Sequence, residues 1–184
     1  PSAIHADYHM PVRIGTDAAL ALSMCKVIID AGLYQKQFVQ EQTDLPLLIR
    51  KDTGRFLRGS DVSAGDLDDQ FFWWDTLAGT LAPAPRHTLA LTGVDPALEG
   101  TFKVMLKDLS TVEVEPAFAV LRRHLEDYEP EKAATVCEVH ADNIRALARK
   151  VATRKTKIFL GWNSGKYYHG DLMERSMALL LGLT

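Results

Sequence analysis

The 184 residues carry 21 basic and 24 acidic side chains, a formal net charge of −3, and 47% hydrophobic residues. Charges this well interspersed argue against a nucleic-acid binder, which presents a basic face, and the composition excludes disordered, collagenous and coiled-coil chains. No apolar run approaches the roughly 20 residues that span a bilayer, and two cysteines, Cys25 and Cys137, without Cys-x-x-Cys or Cys/His spacing, offer no zinc or iron–sulfur site.

The chain opens on Pro1 with no secretory signal before it, and Met177 to Thr184 read as an apolar helix without a stop signal. Both ends look interior, so the sequence is expected to be part of a longer chain. Ile14-Gly15-Thr16-Asp17 opens the first strong helix, with Thr16 or Asp17 able to cap its free amides. Ala18 to Ile29 is apolar around most of its circumference, which predicts a buried helix between a sheet and other elements. Gly32 ends it. A shorter helix is expected over Gln35 to Gln42. Leu47 to Arg50 and Arg55 to Arg58 flank Lys-Asp-Thr-Gly, a hairpin signature with Gly54 supplying positive φ. Gly59 to Gln70 reads as a surface loop. Phe71 to Asp75 is a strand, with a turn at Ala78-Gly79 and a second strand through Leu81. Phe102 to Leu106 and Val112 to Val114 form another hairpin.

Pro116 starts a helix to about Asp127, Pro130 a second, and Asp142 a third that runs to Val151. Lys157 to Leu160 is a short apolar strand, Gly161 to Gly170 a polar aromatic loop, and Asp171 to Leu183 a final helix. Helix, strand, glycine-bearing loop and helix is the order of a βα unit in a parallel sheet. The expected fold class is therefore α/β: a Rossmann-like parallel-sheet portion with antiparallel hairpin insertions, residues 45–115 being a hairpin-rich excursion.

Two segments carry chemistry. In the first, Gly15 lets a ligand approach the backbone and Thr16 offers a hydroxyl. The helix start offers free amides and partial positive charge, and Asp17 can accept paired hydrogen bonds from an amidine edge such as guanine's. The competing reading is a plain helix cap. The second, Leu160 to Asp171, follows a strand end, where α/β sheets place ligands. It gathers Asn163, Ser164, Lys166, Tyr167, Tyr168 and His169 between glycines. His169 can move protons near neutral pH, and Lys166 can pair with an anion. Here the competing reading is a surface loop before a capped helix. No Gly-x-Gly-x-x-Gly follows a strand, which disfavours an ordinary dinucleotide domain.

The run Ala6-Asp7 followed by Pro11-Val12-Arg13-Ile14-Gly15-Thr16-Asp17-Ala18-Ala19-Leu20 resembles a motif of the dimethyl-sulfoxide-reductase family of molybdenum enzymes. Gly161-Trp162-Asn163 through Lys166-Tyr167-Tyr168-His169-Gly170-Asp171-Leu172 and Arg175 resembles a later motif of the same family. The text between, including Thr43-Asp44-Leu45-Pro46 and Asp52-Thr53-Gly54-Arg55-Phe56-Leu57-Arg58, is similar to the subgroup with nitrate, selenate and chlorate reductases, nitrite oxidoreductase, and dimethylsulfide and ethylbenzene dehydrogenases. The resemblance covers the whole chain in order.

It implies that residues 1–184 are part of a molybdopterin-binding domain of a catalytic subunit. The cofactor it implies is molybdenum-bis(molybdopterin guanine dinucleotide), contacted by Gly15, Thr16 and Asp17 and by Leu160, Gly161, Asn163 and Ser164. Lys166, then His169, become the active-site candidates. The corresponding nitrate reductase loop has a histidine near the position of Ser164, a departure that points away from nitrate. The molybdenum-ligating aspartate and the iron–sulfur cysteines of the subgroup match nothing here, so this segment alone is not expected to be active. Implied partners are the rest of the catalytic subunit, an iron–sulfur electron-transfer subunit and, in some members, a haem b subunit, in a periplasmic or membrane-associated setting. The substrate class stays open among oxyanions, nitrite and hydrocarbons or sulfides. The alternative is a non-catalytic scaffold that kept the fold.

Overall fold

The computed structural model describes residues 2–86, 91–161 and 164–184, without the side chains of Ser2 and Ser164. These residues form two compact units, Pro1–Gln35 with Leu125–Thr184, and Lys36–His124.

The first unit is helical. Helix α1 (Asp17–Asp30) packs against α5 (Pro130–Cys137), α6 (Ala141–Thr153), α7 (Gly170–Gly182) and the 3₁₀ turn at Leu125–Tyr128. Ala21, Cys25 and Ile28 are fully enclosed in this packing. The α1 end is a Schellman motif: Gly32 has φ +63°, its amide donates to the Ile29 carbonyl, and Leu33 N donates to Ile28 O at 2.9 Å. Cys25 and Cys137 are buried and unpaired, and burial pushes the Cys25 thiol up to about 12. Lys26, only 8% exposed, donates to Asp30 at 2.8 Å and lies 3.2 Å from Glu129. The hydrogen bond to Asp30, seconded by Glu129, holds its ammonium above the usual lysine range. The contact with Glu129 ties α1 to the residue that precedes α5.

The surroundings of α1 differ from the sequence expectation. An apolar circumference dictates that a helix be enclosed, and it does not distinguish helices from a sheet as the enclosing element. Here the neighbours are helices. Residues 157–160 pair with no strand among the described residues, and Phe159 is 91% exposed. A strand exists only beside a partner, and both sheets among the described residues are antiparallel.

The second unit holds α2 (Lys36–Gln42), β1 (Leu48–Arg50), α3 (Gly59–Val62), β2 (Phe72–Asp75), β3 (Thr80–Pro83), β4 (Phe102–Met105), β5 (Thr111–Pro116) and α4 (Ala117–His124). One sheet has the order β1-β5-β4, with Leu48 opposite Pro116 and Phe102 opposite Val114; β2 and β3 form the other. Alternation along β5 turns Val112 and Val114 to a core shared with Leu48, Leu57, Phe72 and Val104. Trp74 stacks on Phe102 with centroids 4.4 Å apart and planes 7° from parallel. Asp95 accepts from Thr76 Oγ1 and Gln40 Nε2, both at 2.7 Å, and so binds α2 to the end of β2. The span expected as plain loop contains α3, a single turn that opens where the Arg58 amide donates to Asp61 at 3.0 Å.

Candidate functional site

The first motif is a turn locked in place from both sides. Thr16 N donates to the Arg13 carbonyl at 3.1 Å, and Gly15 sits at φ +81° while Ile14 has no positive φ. That is a type II turn, whose third position needs a residue tolerant of positive φ. The Thr16 hydroxyl donates to the same carbonyl at 2.6 Å, so it caps nothing on α1. Arg13 N in turn donates to the Cys137 carbonyl at 3.0 Å, satisfying an orphan acceptor at the end of α5. Nothing in the sequence around Cys137 signalled this anchor.

Beside the turn, a Cβ placed on Gly15 would meet no atom within 4 Å. Asp17 is the first residue of α1, half-buried, and its carboxylate has no hydrogen-bond or ion-pair partner among the described residues. The first amides of the helix have no acceptor within it. Upstream, Asp7 and Tyr8 lie against α6, with Lys150 Nζ 3.9 Å from Asp7 and 4.3 Å from the Tyr8 ring centre.

The second motif leads into α7. Leu160, Gly161 and Lys166 are exposed, and Ser164–Lys166 form a 3₁₀ turn. Asn163 and Trp162 lie outside the described residues, as does the side chain of Ser164. The loop turns back over α7: a Cβ on Gly165 would stand 3.7 Å from Glu174 Oε1. His169 precedes α7 in the left-handed region at φ +56°, and its ring lies against Tyr168 with centroids 4.0 Å apart. His169 occupies the cap position of α7, and Asp171 falls in its first turn.

Helix direction brings the two motifs to one end. Gln35, shortly beyond α1, donates its amide to the carbonyl of Leu183, just beyond α7, at 2.8 Å. The helices pack along each other, so they run in the same sense. Their starts, at Thr16-Asp17 and His169-Gly170, therefore share one end of the unit. A cleft of about 560 Å³ exists in the other unit, among Gln40, Asp44, Asp69, Phe71, Trp73 and Arg86. It holds neither motif, and Asp69 and Arg86 are spent on each other.

The whole chain aligns with known catalytic subunits. It is 40% identical to the perchlorate reductase subunit alpha of Dechloromonas aromatica, over all of this chain and 23% of that protein. It is 37% identical to the dimethylsulfide dehydrogenase subunit alpha of Rhodovulum sulfidophilum and 36% identical to the respiratory nitrate reductase subunit alpha of Haloferax mediterranei, over all of this chain and 20% of each. The chain belongs to the dimethyl-sulfoxide-reductase family of molybdopterin oxidoreductases. It spans about a fifth of the length of the curated relatives it matches. No family model matches it. Among the described residues, no helix of this dimethyl-sulfoxide-reductase family chain is long and apolar enough to cross a membrane.

Proposed function

We propose that this chain supplies part of the wall that holds a molybdenum-bis(molybdopterin guanine dinucleotide) cofactor in the catalytic subunit of a two-electron oxidoreductase. What supports this most is the shared orientation of α1 and α7, which gathers both family motifs at one end of the helical unit. The residues there fit a guanine dinucleotide. Asp17 offers an unpartnered carboxylate of the kind that accepts two bonds from a guanine amidine edge. The turn at Gly15 has open space beside its backbone, and the α1 start favours phosphate or ring oxygens. Leu160, Gly161, Asn163 and Ser164 are assigned to the same cofactor by the family resemblance.

When bound, the molybdenum centre supplies the two-electron oxidation or reduction. This chain's own groups bind and orient. Lys166 offers an exposed ammonium to an anionic oxygen, and His169 offers an imidazole able to hold or pass a proton near neutral pH. The substrate is a small oxyanion, nitrite, or a hydrocarbon or sulfide. Electrons leave or enter through an iron–sulfur subunit and, in some assemblies, a haem b subunit. In the complete subunit, residues 157–160 join a Rossmann-like parallel sheet, which covers Phe159.

The test is Asp17→Ala in the complete subunit. The unpaired guanine edge left behind costs about 1–3 kcal/mol, roughly a 5- to 150-fold loss of affinity. Guanine nucleotide and molybdenum content should fall while Asp17→Glu retains part of both. Full retention in Asp17→Ala sinks the assignment of this residue.

A further inference from the structure

The loop that carries Lys166 is held on both sides of that residue. On the C-terminal side, Tyr167 O accepts from Gly170 N at 2.9 Å, which ties the loop to the first residue of α7. On the other side lies Gly165, in the 3₁₀ turn Ser164–Lys166. A Cβ built on Gly165 would stand 3.7 Å from Glu174 Oε1, in ordinary van der Waals contact.

Glu174 is a half-buried residue of α7, and its reach to this point follows from helix geometry. Side chains on a helix lean toward its N-terminus and lie over the residue one turn earlier. For Glu174 that residue is Gly170, which is buried and has no side chain to block the way. The carboxylate therefore extends past the start of α7 to the loop. Gly165 has no positive φ, so its own conformation does not call for glycine. Without a side chain there, the carboxylate faces bare backbone. The geometry points to Glu174 as a positioning residue: its carboxylate braces the turn at Gly165 and so fixes where Lys166 presents its ammonium. The inference rests on the reading of Lys166 as an active-site residue. The two holds differ in kind. The Tyr167–Gly170 bond is made by backbone, whereas the contact at Gly165 depends on one side chain. A single 3₁₀ turn has poor hydrogen-bond geometry of its own, so an outside contact adds to its rigidity.

The experiment uses the complete subunit and two readouts. Hydrogen exchange at the amides of Gly165 and Lys166 should be about 2- to 10-fold faster in Glu174→Ala, the loss of one contact of hydrogen-bond strength, while exchange in α6 stays the same. Glu174→Gln keeps the length and one oxygen, and should recover most of the protection. Turnover is followed on whichever of chlorate, nitrite and dimethyl sulfide the unaltered subunit consumes. Glu174→Ala should lower kcat/KM about tenfold, but less than about twofold once Lys166→Met is present, because a residue that acts through Lys166 then has nothing left to position. Unchanged exchange in Glu174→Ala overturns the inference, as does a turnover loss that is the same with and without Lys166→Met. Turnover that Lys166→Met alone leaves intact refutes the role of Lys166, a failure separate from that of the brace, which the exchange rates still decide. Where none of the three compounds is consumed, exchange and its recovery in Glu174→Gln decide alone.

Discussion

Gly15 offers a test that separates backbone conformation from ligand contact. Its φ of +81° lies at the third position of a type II turn, and a Cβ there meets no atom within 4 Å. Gly15→Ala therefore carries no steric cost and only a conformational one, about 1–2 kcal/mol for an L-residue held in the left-handed region. Gly15→Asn should cost less, because Asn tolerates that region. The readout is native-state hydrogen exchange of the amides at the start of α1 in the complete subunit. That free energy corresponds to roughly 5- to 30-fold faster local opening for Ala, and less for Asn. Unchanged exchange in Gly15→Ala, or an Asn variant as costly as Ala, refutes the conformational account. Cofactor content adds the second axis. Both variants place a side chain in the open space beside the turn, so a closely approaching ligand is lost from Gly15→Asn even where exchange is nearly restored.

Other outcomes follow from the packing and the ion pairs. Leu57 is fully buried in the sheet core, so Leu57→Ala should cost about 2–5 kcal/mol, read from the denaturation midpoint of Trp73 and Trp74 fluorescence. Arg123 donates to both oxygens of buried Glu115 at 3.0 and 2.8 Å, which holds that carboxyl below its usual range. Its contribution is then complete at neutral pH and is lost as pH falls through the carboxylate range, and Glu115→Gln should flatten that part of the stability–pH curve. Lys26→Met should cost only about 1 kcal/mol or less, because Asp30 and Glu129 are 46% and 48% exposed and stay hydrated without it. Chemical denaturation of the pair of proteins checks this, and a loss several times larger would contradict it.

Local signals in the sequence mapped onto local structure. The Gly32 stop, the hairpins around Gly79 and Lys107-Asp108, and the Pro130 helix start all lie where their turn chemistry places them, because each depends on neighbours a few residues away. The one-turn helix at Gly59–Val62 was invisible, since four residues carry no periodicity. What encloses α1 was equally hidden. Its partners α5, α6 and α7 lie beyond the whole of Lys36–His124, and an apolar pattern names no partner. The span 157–160 has the composition of a strand but pairs with nothing among the described residues. At the candidate site, Gly15 and His169 were legible as residue types. The Arg13 to Cys137 backbone bond and the common direction of α1 and α7 were not, because both depend on tertiary packing.

The most direct test of the central claim is the cofactor content of the complete, unaltered subunit. Metal analysis together with nucleotide release should give molybdenum accompanied by two guanine nucleotides per metal. A folded, complete subunit that contains neither molybdenum nor tungsten, and releases no guanine nucleotide, would contradict it.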